Sequence, residues 1–121
     1  MAPNSESLVA TEALSARGAV APRVSLADMN AAIKTEHYIN AGHAIARDPD
    51  GVPIPIGHPL DLMTLCFLTM QNGFVVVGKS APASPDNFDP EKGKTFARED
   101  AIRQLWPLMG FALRQKLSDA A

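Results

Sequence analysis

The run Leu62-Met-Thr-Leu-Cys-Phe-Leu-Thr-Met-Gln-Asn-Gly-Phe-Val-Val-Val-Gly-Lys79 decides how this chain folds. Two stretches, Leu62 to Met70 and Phe74 to Lys79, are dense in β-branched, aromatic and aliphatic residues. Between them stands Asn72-Gly73, the strongest two-residue signal for a β-hairpin, because a type I′ turn needs positive φ at both positions. Such a turn places Gln71 opposite Phe74, Thr69 opposite Val76 and Phe67 opposite Gly78. One face of the ribbon then carries Leu65, Phe67, Thr69, Phe74 and Val76, and the other Cys66, Leu68, Met70, Val75 and Val77. Both faces are apolar, and a two-stranded ribbon is unstable alone in water. The chain's helices can cover one face. The second face or an open edge is expected to meet another subunit, which makes the protein a homo-oligomer.

Outward from the hairpin, Ser80 to Asp89 is a loop by composition. Asp89 followed by Pro90 is a sound helix start, with Asp as N-cap and Pro at the first helical position. Ala97, Ala101, Ile102 and Leu105 form the apolar stripe of that helix, with Glu99 and Arg103 at i, i+4 on its solvated side. Trp106-Pro107 is expected to end or kink it. A last helix from about Pro107 to Leu117 presents Met109, Leu113 and Leu117. Upstream, Arg47 to Leu60 holds four prolines and two glycines and reads as an irregular connector, with Asp48-Pro-Asp-Gly51 as a turn. Ser25-Leu-Ala-Asp28 matches a capping box. The apolar spacing of Leu26, Met29 and Ile33 extends that helix to about His37. Residues 1–23 read as a flexible tail, the alternative being a poorly capped helix from about Ser5 to Arg17. The expected fold is α+β: an N-terminal helix, an antiparallel hairpin with the Asn-Gly turn, and two C-terminal helices packed on it. The tail precedes a single domain over 24–121.

The chain has 121 residues, an apolar fraction of 46%, a charged fraction of 20% and a net charge of -2. That is the composition of one soluble globule. The acidic balance gives no global basic excess for non-specific phosphate binding, so DNA recognition is not expected. Cys66 is the one cysteine, so an internal disulfide is excluded. No secretory signal is visible at the N-terminus, and the apolar run Leu60–Val77 is too broken to span a bilayer.

Gly73-Phe-Val-Val-Val-Gly78-Lys79-Ser80 matches the Walker A expression letter for letter. The chemistry needs a glycine-rich loop between a strand and a helix. Here the intervening residues are a strand, and Pro82 and Pro85 follow. His37, His43 and His58 lack metal-ligand spacing, so no metal or other cofactor is expected. Cys66 lies in an apolar strand, where a thiol is inert. Lys79, Lys92, Lys94 and Arg98 make a local basic group. With Ser80, Asn87 and Phe88 they suggest a ligand site of Lys79, Ser80, Asn87, Phe88, Lys94 and Arg98, binding an anion or nucleotide. Phe88 and Trp106 can stack on a base, although core anchoring is the commoner use of such rings. No catalytic constellation stands out by spacing, and no enzyme is expected.

From Leu60 to Leu117 the chain resembles a family of uncharacterised phage proteins, named for gene product forty-nine of one tailed phage and gene sixty-six of another. The resemblance is carried by Leu65-Cys66-Phe67-Leu68-Thr69, Asn72-Gly73-Phe74 and Val77-Gly78-Lys79-Ser80-Ala81. It continues through Pro85, Asn87-Phe88-Asp89, Gly93, Ala97-Arg98, Ala101 and Leu105-Trp106-Pro107-Leu108 to Gly110 and Leu113. The helix from Ser25 to Tyr38 falls where the family has an N-terminal helix. In the family the position of Lys79 is often acidic, which counts against a lysine-on-phosphate role. The resemblance implies a phage or prophage origin and the host-cell cytoplasm. It brings no established activity, so no catalytic residue carries over. The expectation is an accessory binding protein that sequesters a nucleotide signal of host defence, by analogy with other small phage proteins. The alternative is an interaction protein docking on a host or phage protein through the hairpin edge.

Overall fold

The computed structural model describes residues 4–121. Helix α1 spans Glu6–Ala16 and α2 Leu26–Ala32, followed directly by strand β1, Ile33–Asn40. Then come α3 (Ala41–Arg47), β2 (Thr64–Met70), β3 (Val75–Ser80) and a long α4 (Pro90–Ala120). The strands form one antiparallel sheet in the order β1-β2-β3. Helix α4 lies across the inner face, mainly over β3 and β2. Between the layers sit Cys66, Leu68, Met70 and Val76 from the sheet, Ala97, Ala101, Ile102 and Leu105 from α4, and Leu26 and Met29 from α2. The α+β class expected from the sequence holds.

Local chemistry formed where its residues stand. Ser25 Oγ accepts from the Asp28 N–H at 3.0 Å, and Asp28 Oδ2 accepts from the Ser25 N–H at 2.9 Å. Asp89 Oδ1 accepts from the N–H groups of Glu91 and Lys92, with Pro90 opening α4. The turn at Asp48 closes through the Gly51 N–H onto the Asp48 carbonyl.

Four expectations need correction. First, the hairpin register is one residue off: Leu68 faces Val76, Phe67 faces Val77 and Cys66 faces Gly78. Among the described residues no non-glycine residue has positive φ, which rules out a type I′ turn at Asn72. Met70 and Phe74 instead close a three-residue loop, with the Met70 N–H on the Phe74 carbonyl at 2.8 Å and Gly73 at φ 88°. The Gln71 N–H is drawn away to the Ala32 carbonyl at 2.8 Å. The slip moves Val75 and Val77 to the outer face beside Leu65, Phe67 and Thr69, and places Val76 and Gly78 inside.

Second, α2 stops at Ala32, and residues 33–40 pair with β2 instead of continuing as helix. Thr35, Tyr38 and Ile39 suit a pleated surface, and Ile33 is buried at the start of the strand. Third, Pro107 neither ends nor separates a helix, and α4 runs through it for 31 residues. Pro107 and Arg103 are both exposed, so the carbonyl that loses its donor faces water. Trp106 is anchored one residue earlier by its Nε1–H on the Val24 carbonyl at 3.0 Å. Fourth, residues 6–16 are helical rather than tail-like, with Ser5 as N-cap and Leu8 buried. The segment 1–23 thus holds the alternative helix, and Met1 to Pro3 lie outside the described residues.

Helix and sheet meet along a seam of small residues. A Cβ on Gly78 would stand 2.0 Å from the Ala97 carbonyl oxygen and 2.5 Å from the Ala101 nitrogen. Both atoms are backbone and cannot yield without moving the helix. Gly78→Ala is expected to cost at least about 1–3 kcal/mol by overpacking. Gly110→Ala, where nothing lies within 4 Å, is expected to add about 0.5–1 kcal/mol through helix propensity. Urea unfolding of both variants checks the pair.

Candidate functional site

The six residues expected to share a site do not converge. Ser80, Asn87 and Phe88 line one pocket of about 220 Å³, together with Asp89, Lys92 and Phe96. Lys94 lies on the far side of Phe88, in a second pocket of about 170 Å³ with Tyr38, Asn40, His43 and Thr64. Lys79 lines neither: it stands opposite Leu65 on the outer face of the sheet. Phe88 is half-buried between the two pockets, so it is part contact, whereas Trp106 packs against the core.

Arg98 is not available to a ligand. Its residue is 2% exposed. Nε donates to Glu36 Oε1 at 3.0 Å, Nη1 to Asn4 Oδ1 at 2.9 Å and Nη2 to Asn30 Oδ1 at 2.7 Å. Each nitrogen of the buried cation is therefore engaged, by the N-terminal segment, α2 or β1. Sequence reasoning put Arg98 among the ligand residues. The signal for burial was its spacing, since 98, 101, 102 and 105 recur on one helical face. Anion binding at the start of α4 is also contested, because the Asp89 carboxylate already occupies the free N–H groups there. Lys94 pairs with Glu91 at 3.7 Å.

Cys66 is wholly buried, and burial pushes its thiol up to about 11. The Tyr38 hydroxyl, on the neighbouring strand, is also raised by burial and donates to Glu36 Oε2 at 3.4 Å. Both groups are protonated at neutral pH, which makes Cys66 a poor nucleophile. Among the described residues, no group of three or more His, Cys, Asp or Glu could hold a metal ion. No helix among them is long and apolar enough to cross a membrane.

The surface left open is apolar. On the outer face of the sheet, Ile39 from β1, Leu65 and Phe67 from β2, and Val75 and Val77 from β3 are neighbours, with His37 beside Phe67 and Lys79 beside Leu65 on the same face. Ile39, Val75 and Val77 are 39%, 49% and 41% exposed. Sequence reasoning foresaw an uncovered second face and missed its third strand. The hairpin edge, by contrast, is partly closed. The outward N–H of Lys79 donates to Asp100 Oδ2 at 2.9 Å, and Gln104 Nε2 donates to the Val77 carbonyl at 2.9 Å. Helix α4 thus uses two side chains to cap the edge of β3, one of the ways proteins block strand addition.

The Arg98–Glu36 pair yields a stability prediction. Arg98→Met leaves a carboxylate buried without its cation and is expected to cost about 3–5 kcal/mol. Adding Glu36→Gln removes the orphaned charge and is expected to recover part of that loss. Urea unfolding across the double-mutant cycle measures both.

Comparison with curated proteins and with solved structures gives no match. A family model does match, over residues 24–117, which takes in everything from the start of α2 through most of α4. The chain belongs to the phage protein (N4 Gp49/phage Sf6 gene 66) family.

Proposed function

We propose that the protein is a non-catalytic accessory protein of a tailed phage or prophage. In this reading it works in the host-cell cytoplasm by docking, and its first partner is a second copy of itself. The observation that carries the reading is the outer sheet face, where five apolar side chains from three strands stand without a covering layer. Area supports it. A compact monomer of 12.9 kDa exposes about 6300 Å² by the usual mass scaling. This chain exposes 7996 Å², about 1700 Å² more than that scaling gives. A stable pair hides about 800 Å² per partner, and the surplus, spread over the whole chain, allows one such interface without locating it. Two such faces stacked about a two-fold axis through Phe67 bury the same patch on both subunits. Sheets packed in this way lie about 10 Å apart with interdigitating side chains.

Val77→Glu tests this. The side chain is half-exposed in the single chain, so the variant is expected to fold with an unchanged circular dichroism spectrum. In the dimer it would bring two carboxylates into an apolar interface, raising the dissociation constant at least about 100-fold, or ~2.7 kcal/mol. Sedimentation equilibrium compares the two proteins. A wild-type chain that stays monomeric at tens of micromolar refutes the reading.

A second reading, sequestration of a host nucleotide signal, keeps one observation in its favour. Phe88 and Phe96 line the same pocket as Lys92, Ser80 and Asn87, and Phe96 is 54% exposed. That set offers ring stacking with a cation and hydrogen-bond donors beside it. The docking reading is preferred because Arg98 is committed internally and Asp89 already caps α4. Calorimetry with a panel of cyclic and linear nucleotides decides. Saturable heat that Phe96→Ala abolishes would favour sequestration, and no heat would remove it.

A further inference from the structure

Helix α1 lies ahead of the family match, which begins at residue 24. It nevertheless enters the interior of the matched region at two points. Leu8 is 1% exposed and belongs to the same apolar cluster as Leu26, Met29 and Ile102. Asn4, just before the helix, supplies the acceptor for Arg98 Nη1 at 2.9 Å. Shallower contacts surround them: Ser7 Oγ accepts from Arg103 Nη2 at 2.7 Å, and Glu12 Oε2 accepts from the Leu26 N–H at 3.0 Å.

Apart from the half-buried Thr11 and Glu12, the remainder of α1 is exposed. Val9 is 53% and Leu14 64% exposed, and Leu8 is the one buried residue of the helix. The connection after it, through Gly18 at φ 68° and a fully exposed Val20, runs along the surface. A helix built into a core fully buries a stripe that recurs every three or four residues, whereas α1 fully buries Leu8 alone and half-buries Thr11 and Glu12 one turn later. Eleven residues are also too few to hold a helix in water without a partner surface. These are the properties of a short peptide that orders on docking.

We propose that the family domain carries a peptide-docking site that α1 fills in cis. The site is an apolar socket for the Leu8 side chain with the Arg98 guanidinium beside it, taking a carboxamide oxygen four residues upstream. Its ligand class is a short helical segment with Asn at one position and Leu four residues later. When α1 leaves, Arg98 keeps Glu36 and Asn30, and its Nη1–H exchanges the Asn4 carboxamide for the water that enters the vacated socket. A charge-assisted hydrogen bond is stronger in a closed, dry socket than in water, so the vacated site selects a segment that both refills the Leu8 socket and restores the carboxamide acceptor. This inference stands apart from the outer sheet face, which lies on the opposite side of the sheet from Arg98 and Glu36.

The test uses the full chain carrying Leu8→Ala and a labelled synthetic peptide of residues 1–17. Hydrogen exchange is expected to show complete loss of protection in residues 6–16, with protection in β2 and in 97–105 changing less than about threefold. The peptide is expected to bind the variant saturably and to bind the wild-type chain, whose site is filled, at least about tenfold more weakly. Peptides carrying Leu8→Ala or Asn4→Ala are expected not to bind. Three results would overturn the proposal: loss of protection in α1 and β2 together, failure of the variant to fold, or release of α1 without peptide binding.

Discussion

Arg98 lies on the buried stripe of α4, and a guanidinium taken out of water needs an acceptor at each nitrogen. The chain meets that demand with groups from three places: Asn4 ahead of α1, Asn30 in α2 and Glu36 in β1. This requirement fits the change from helix to strand at residue 33. As a strand, residues 33–40 put Glu36 on the inner face opposite Leu68, where its carboxylate reaches Arg98 at 3.0 Å. The ion pair and the ladder of β1 on β2 therefore support the same arrangement. Leu26, Met29 and Ile33 keep their burial while the backbone changes from helix to strand between them.

The second constraint is steric. Gly78 in β3 and Ala97 and Ala101 in α4 let helix and sheet backbones come close, and Gly93 makes a similar approach to Thr64. This accounts for the Walker-like spelling of residues 73–80. Gly73 is needed for a positive φ in the hairpin loop, and Gly78 because a helix lies against it. One glycine serves the turn and the other the packing. With α4 held so near, Asp100 and Gln104 reach over to cap the β3 edge. Helices cover the inner face and side chains close one edge. The apolar outer face stays open, and it is there that the docking reading places the function.

What could be read from the sequence was local chemistry. The Ser25–Asp28 capping box, the Asp89-Pro90 helix start, the Asp48 turn and the existence of the hairpin each depend on a few neighbouring residues, and each formed. What could not be read depends on distant partners. The loop at 71–73 is set by the pull of Ala32 on Gln71 and by the need to put Gly78 under α4. Neither is visible in an Asn-Gly pair. Strand β1 forms because β2 offers it a partner, and α4 survives Pro107 because the freed carbonyl faces water. The candidate site fared worst. Lys79, Lys94 and Arg98 were grouped by charge and nearness in sequence, and the fold sends each to a different place. The apolar character of a second sheet face was legible, although the register that sorts its residues was not.

Native mass spectrometry of the protein purified from its bacterial host, first under gentle and then under denaturing conditions, tests the central claim most directly. It reads subunit number and any carried small molecule in one experiment. Two-fold stacking through the outer sheet face predicts a dimer, or a multiple of two, with no mass beyond its chains. A monomer would contradict that account, and a monomer that sheds a nucleotide-sized mass on denaturation would move the function to the pocket between Phe88 and Phe96.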